Sequence, residues 1–306
     1  MASGAIPVDL FNPGQVFACL GFLEAAEVLC GGAEGGFDWR DTSTPRFELR
    51  VRGDEQPFEA ALAFLSTATV SSVAPPDSMN STTRWEIPTT ILDEGAPFPF
   101  PDPSSPATLP AVLTGTCGNG RQAQLVIDYW GDGADKTGRD NVKFWGGSAG
   151  YPGARLAFDA LELVRDRCRE AVGDPFAVAA PQSSSFRFDW RRDYIPIDAG
   201  FSLNSHAGNR FTTMGYPLVE IFAAVGLTHA RPFRPHRHTK LEYEYGVIGT
   251  DPANRSVALF APPLLRVALG SDELPFIRRR FRMRLGWPGK EGQSRAITTV
   301  TEEIDR

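Results

Sequence analysis

The sequence predicts an α+β fold, with mixed or antiparallel sheets against packed helices. Three observations predict it. Apolar segments with helical start and stop signals stand at both ends of the chain, β-type runs are scattered between and after them, and the two types never settle into a regular βαβ alternation. The composition is that of a globular protein, 42% hydrophobic and 22% charged over 306 residues, which excludes bulk disorder and collagen-like repeats.

The elements follow in order. A short apolar strand, Ala5 to Leu10, runs into Asn12-Pro13-Gly14, where Asn12 suits an N-cap and Pro13 the first helical position. Val16, Phe17, Leu20, Leu23, Ala26 and Val28 then recur at a helical period until Gly31-Gly32 ends the segment. A strand over Arg46–Arg52 and a helix over Phe58–Ala68 come next. Nine prolines between Val70 and Pro110 mark an irregular excursion, because proline denies hydrogen bonds to helix and ladder alike. Order resumes with a strand at Gln124–Trp130, a Gly/Asp-rich loop, an apolar run at Val142–Trp145 and a helix from Arg155 to Ala171. Strands are expected at Ser185–Trp190, Gly200–Asn204, Leu241–Ile248, Leu264–Leu269, Phe276–Leu285 and Ala296–Val300, with one helix at Leu218–Gly226.

Charge divides the chain into an acidic α+β half, 1–180, and a basic β-rich half, 181–306. The first holds 13 basic and 24 acidic residues, the second 18 and 13. Such a split suits an anionic partner at the second half and protein or solvent at the first. Arginine supplies 27 of the 31 basic residues, so placement rather than abundance carries the information. No apolar run reaches the roughly 20 residues of a membrane span, and residues 1–10 show no secretory pattern. The four cysteines, Cys19, Cys30, Cys117 and Cys168, form no C-x-x-C pair. A cytoplasmic protein with no membrane partner and no cofactor is expected.

Two echoes hint at related halves. Pro13-x-x-Val-Phe-Ala-Cys-Leu-Gly-Phe resembles the stretch from Pro217 to Leu227 with one insertion, and Phe-Asp-Trp-Arg occurs at both 37–40 and 188–191.

Several motifs invite chemistry. Gly146-Gly-Ser148-Ala-Gly150 fits the nucleophile elbow of serine hydrolases, with Asp198, His206 and His229 downstream. Tyr151-Pro152-Gly153 interrupts the place where the helix should start, so a glycine-rich turn is the better reading and a hydrolase the alternative. Asp128, Asp132, Asp135 and Asp140 lack calcium-loop spacing and read as a solvated turn. His236 and His238 lack further zinc ligands. Their neighbours Arg231, Arg234, Arg237 and Lys240 make a cationic patch instead.

The richest stretch is Phe276 to Lys290. With period two, Arg278, Arg280, Arg282 and Arg284 share one strand face while Arg279, Phe281, Met283 and Leu285 share the other. Guanidiniums repeating every ~7 Å along a strand fit a phosphate backbone, with Trp287 placed to stack on a base and Lys290 adding charge. An edge strand kept soluble by charge is the competing reading. No acid interrupts the run between Glu273 and Glu291, which favours nucleic acid.

Four stretches together resemble a known family: Asn12–Ala26, Gly35–Trp39, Asp128–Trp130 with Lys143–Ser148, and Gly215–Gly226. The chain resembles an effector-operon protein of the type I-U (I-G) CRISPR–Cas systems over about residues 5–230. That resemblance implies a noncatalytic subunit of a crRNA-guided, Cascade-like surveillance complex in antiviral defence. Its partners would be crRNA, target DNA or both, together with other effector subunits. Two roles stay open: an RNA-grasping protein of the repeat-associated (RAMP) type, built from related ferredoxin-like halves, or a small counterpart of the large subunit that opens the duplex. A glycine-rich C-terminal loop of the RAMP kind has only a loose substitute in Arg284-Leu-Gly-Trp-Pro-Gly-Lys290. The absence of an HD pair argues against the target-degrading nuclease.

Overall fold

Proline opens four of the five described α-helices, because its missing N–H costs nothing in a first turn and its fixed φ suits helix entry. The computed structural model describes residues 1–128, 151–182, 184–192, 213–235, 239, 241–251, 256–271, 274–286 and 295–303. In chain order the elements begin β1 (Ala2–Pro7), α1 (Pro13–Leu29), β2 (Glu34–Asp38), β3 (Arg46–Val51), α2 (Pro57–Thr67) and β4 (Thr69–Ala74). They continue with β5 (Thr89–Ile91), β6 (Ala111–Thr116), β7 (Gln122–Ile127), α3 (Gly153–Val164), β8 (Ala180–Pro181) and β9 (Met214–Gly215). Last come α4 (Pro217–His229), β10 (Glu242–Ile248), β11 (Thr250–Asp251), β12 (Ser256–Val257), α5 (Pro262–Gly270), β13 (Arg278–Gly286) and β14 (Ala296–Glu303).

The fold is α+β, as its sequence predicts. Three larger sheets are ordered β1-β3-β2, β5-β4-β6-β7 and β10-β13-β14, with two-stranded pairs β8-β9 and β11-β12. Every strand pair is antiparallel except β4 with β5. The first six elements run β-α-β-β-α-β, the ferredoxin-like order. Here β4 leaves the first sheet and pairs with β5 and β6 instead. Among the described residues the second half runs β9-α4-β10-β11-β12-α5-β13-β14, with one more short strand between its two helices than the first half has.

The repeated helix motif has a structural counterpart. Helices α1 and α4 pack on each other through a reciprocal contact. A Cβ at Gly21 would lie 2.6 Å from the Phe222 carbonyl carbon, and one at Gly226 would lie 2.8 Å from the Gly21 nitrogen and against the Phe17 carbonyl. Phe17 and Gly21 in α1 thus answer Phe222 and Gly226 in α4, at the same spacing. The rings of Phe22 and Phe222 stack with centroids 3.7 Å apart. Fifteen of the 17 residues of α1 are buried, so the helix is enclosed on nearly all sides. Val28, which the helical period assigns to the buried set, is 41% exposed. A one-sided period therefore understates the burial of α1.

The third sheet is fastened to this helix pair by aromatic rings. Tyr245 of β10 stacks on Phe281 of β13 at 5.3 Å and meets Phe17 edge-on at 5.9 Å. The Tyr245 hydroxyl donates to the Leu10 carbonyl at 2.8 Å, which keeps a buried polar group satisfied. Each such side chain stabilises the junction by roughly 1.5–3 kcal/mol through burial.

The structure corrects several sequence expectations. Leu264–Leu269 belongs to helix α5, not to a strand. Pro262 and Pro263 open the helix, and Leu265, Ala268 and Leu269 are buried at helical spacing. Ser185–Trp190 is not a strand; its end enters a short 3-10 turn, Trp190–Arg192. The helix expected to reach Ala171 ends at Val164 and tightens into a 3-10 segment, Arg165–Ala171. Val70–Ala74, placed in the irregular stretch, is part of β4. Asn12 occupies the N-cap position without a capping hydrogen bond, and its Nδ2 donates to Asp189 at 3.0 Å. The expected strand Gly200–Asn204 and the run Val142–Trp145 lie outside the described residues. No helix among the described residues is long and apolar enough to cross a membrane.

Candidate nucleic-acid interface

Strand β13 carries the arginine row at the centre of its sheet, with β10 on one side and β14 on the other. It is therefore not an edge strand, and charge there is not edge protection. The alternation expected from the sequence holds. Phe281, Met283 and Leu285 are at most 1% exposed and pack into the core, while Arg280, Arg282 and Arg284 stand on the opposite face.

Register decides what surrounds the row. From β10, Glu242 faces Arg284, Glu244 faces Arg282 and Gly246 faces Arg280. From β14, Thr299 faces Arg284, Thr301 faces Arg282 and Glu303 faces Arg280. Directly opposed residues on a sheet share a face, so this surface mixes arginines with three carboxylates. Arg282 gives Nε and Nη2 to Glu244 Oε1 at 3.1 and 2.6 Å and stands 3.4 Å from Glu303. Glu244 is buried, which makes this a structural cross-strand pair. The Arg278 guanidinium fills the space that a side chain at Gly246 would occupy, its carbon 2.6 Å from the would-be Cβ. Arg284 is exposed and Arg280 half-buried. Arg278 and Arg282 are half-buried as well.

Arg279 points the other way. It forms a bidentate pair with Glu302 at 2.6 and 2.8 Å and lies 5.3 Å from the Phe281 ring. The Arg279 hydrogen bonds hold the Glu302 carboxyl below its ordinary value. An acid whose pKa is depressed on folding adds stability above its unfolded value and loses it as pH falls through the folded one. Replacing Glu302 with Gln is therefore expected to flatten the loss of stability below about pH 4.5, read as the urea midpoint across an acid titration. Equal acid limbs in the two proteins would remove Glu302 from the account.

The second cationic patch is only partly assembled. Phe233 bridges to Glu244 through paired backbone hydrogen bonds of 2.7 Å, so its segment runs beside β10. Opposed pairing sets Phe233 on the face of Glu244 and Arg282. Arg234 turns to the other face, where its Nη2 donates to the Tyr243 hydroxyl at 3.2 Å. Arg231 donates from Nη1 to the Ala230 carbonyl at 3.0 Å. Arg237, Lys240, Trp287 and Lys290 lie outside the described residues.

The other motifs are distributed as follows. Ser148, Asp198 and His206 of the hydrolase alternative lie outside the described residues, as do Asp132, Asp135, Asp140, His236 and His238. His229 ends α4, where burial pushes its pKa below the ordinary value. Asp128 follows β7, and its backbone N–H donates to Thr228 Oγ1 at 3.0 Å. Among the described residues no three His, Cys, Asp or Glu side chains gather as a metal-binding group.

Sequence reasoning missed the acidic partners of the row and the meaning of the repeated tetrapeptide. In both copies the Asp clamps the Arg two residues on. Arg40 meets Asp38 through Nε at 3.0 Å and Nη2 at 2.7 Å, and Arg191 meets Asp189 at 2.9 and 2.6 Å. The repeat itself was the available signal. Comparison with protein-family models, with curated proteins and with solved structures finds no match to this chain.

Proposed function

We propose that this chain is a noncatalytic cytoplasmic subunit of a type I-U/I-G CRISPR surveillance complex. It grips the backbone of guide RNA or target DNA and docks on other effector subunits. The observation that carries the reading is the arginine face of β13, held rigid because Phe281, Met283 and Leu285 anchor the strand from below. Guide-dependent complexes leave sequence reading to base pairing, so the protein needs only to hold the backbone electrostatically. The acidic first half suits contact with basic neighbouring subunits.

The test reverses two charges on that face. Arg280→Glu with Arg284→Glu is expected to weaken binding of single-stranded RNA or DNA and to lower the salt slope by about 1.4, at ~0.7 for each lost phosphate contact. Fluorescence anisotropy between 50 and 300 mM salt reads both quantities. Binding isotherms unchanged across that range would overturn the assignment of β13. Guide RNA and neighbouring CRISPR proteins co-purifying with the tagged chain from its host would support the complex. An RNA-free, partnerless protein would count against it.

A further inference from the structure

A cleft of about 410 Å³ opens between the β1–α1 loop and the turn before β3, reached by Arg279 from the face of β13 away from the arginine row. Asp9, Phe11, Gln15, Thr42, Arg191 and Arg279 line it. Both guanidiniums are fixed in place by carboxylates, Arg279 by Glu302 and Arg191 by Asp189, and Arg191 also gives Nη2 to the Phe176 carbonyl at 2.8 Å. Each spends Nε and Nη2 in this way, and neither makes a hydrogen bond from Nη1 among the described residues. Phe11 is 39% exposed, unusual for a phenylalanine, and is braced edge-on against Phe281 at 5.1 Å.

These features select the ligand. The cleft also carries Asp9 and Asp174, whose charges oppose a bare phosphate. A nucleobase satisfies both signs: its amino and ring N–H groups donate to carboxylate, its ring nitrogens and carbonyls accept from guanidinium. Its flat face suits the exposed aromatic ring. The volume lies at the small end of ligand sites and holds one nucleotide rather than a stacked pair. We propose that this cleft captures a single unstacked base of a single-stranded nucleic acid, stacked on Phe11 and hydrogen-bonded by Arg191, Arg279 and Asp9.

The proposal rests on the nucleic-acid reading above and fails separately from it. The probes are full-length protein with single-stranded RNA, single-stranded DNA and duplex DNA, each carrying 2-aminopurine. Phe11→Ala is expected to weaken single-strand binding about 5- to 150-fold and leave duplex binding unchanged, whereas Phe11→Trp keeps the affinity and quenches 2-aminopurine. Thr42→Glu, on an exposed turn at the rim, is expected to weaken single-strand binding without touching the core. Stronger effects on RNA than on DNA identify the guide as the source of the base, and the reverse identifies the target strand. Wild-type affinity in both Phe11→Ala and Thr42→Glu, with Arg280→Glu/Arg284→Glu still impaired, would overturn the cleft and spare the backbone interface. A wild-type protein that binds none of the probes would overturn both.

Discussion

Gly21→Ala is expected to destabilise the protein by about 3 kcal/mol, at the upper end of overpacking costs. The new methyl group would meet the Phe222 backbone, its carbonyl carbon at 2.6 Å, and no rotamer change can move a backbone carbonyl. Relief requires α1 and α4 to separate, which loosens the Phe22–Phe222 stack with them. The sign is diagnostic. In an uncrowded helix the same change would stabilise by roughly 0.5–1 kcal/mol, because alanine loses less backbone entropy than glycine. Gly226→Ala is expected to cost a similar amount from the opposite side of the contact. Once one methyl group has parted the helices, the second finds space, so the double variant should lose less than the sum by about 0.5–3 kcal/mol. Denaturant unfolding followed by circular dichroism measures all three. Additive losses, or a gain in either single variant, would show that the two glycines do not share one contact.

That reciprocal contact explains how far the sequence can be read here. Pro13 and Pro217 mark both helix starts, and the shared Phe-x-x-x-Gly spacing was visible as a faint repeat. Its purpose was not visible, because a close helix crossing is a property of two segments 200 residues apart. The arginine row shows the same boundary between local and non-local information. Period-two alternation correctly separated Arg280, Arg282 and Arg284 from Phe281, Met283 and Leu285. The carboxylates among those arginines come from β10 and β14, and only the register of pairing brings Glu244 to Arg282. Leu264–Leu269 failed for a different reason: a short apolar run fits strand or buried helix equally, and Pro262-Pro263 settles it. Asn12 shows that a cap-type residue at the N-cap position does not by itself secure a cap: no side-chain bond caps α1, and its Nδ2 donates to Asp189, 177 residues away.

The two Phe-Asp-Trp-Arg clamps invite comparison, because the sequence and the Asp–Arg bonds recur while the burial and the further partners of each pair differ. Asp189 is fully buried and accepts from Asn12 Nδ2, from the Arg191 backbone N–H and from the Arg191 side chain. Burial opposes the Arg191 charge, yet the hydrogen bonds and charge of Asp189 keep its pKa above the ordinary value. Asp189→Ala would strand the half-buried guanidinium, stacked 3.5 Å from the Tyr216 ring centroid, and leave the Asn12 amide without its acceptor. Breaking a buried pair from one side costs about 3–5 kcal/mol, and that loss is expected here. In the other copy the Arg40 side chain is 47% exposed, so Asp38→Ala is expected to cost far less at neutral pH. The Arg40 hydrogen bonds hold the Asp38 carboxyl below its ordinary value. What stability that clamp adds is present above the unfolded value and disappears as pH falls through the depressed one, so wild type and Asp38→Ala should converge in acid. Equal losses in the two alanine variants would mean that the clamp acts through its local turn alone. A large loss confined to Asp189→Ala would instead assign the second copy the task of joining the N-terminus of α1 to that of α4, where Glu220 receives the backbone N–H groups of Phe188 and Asp189.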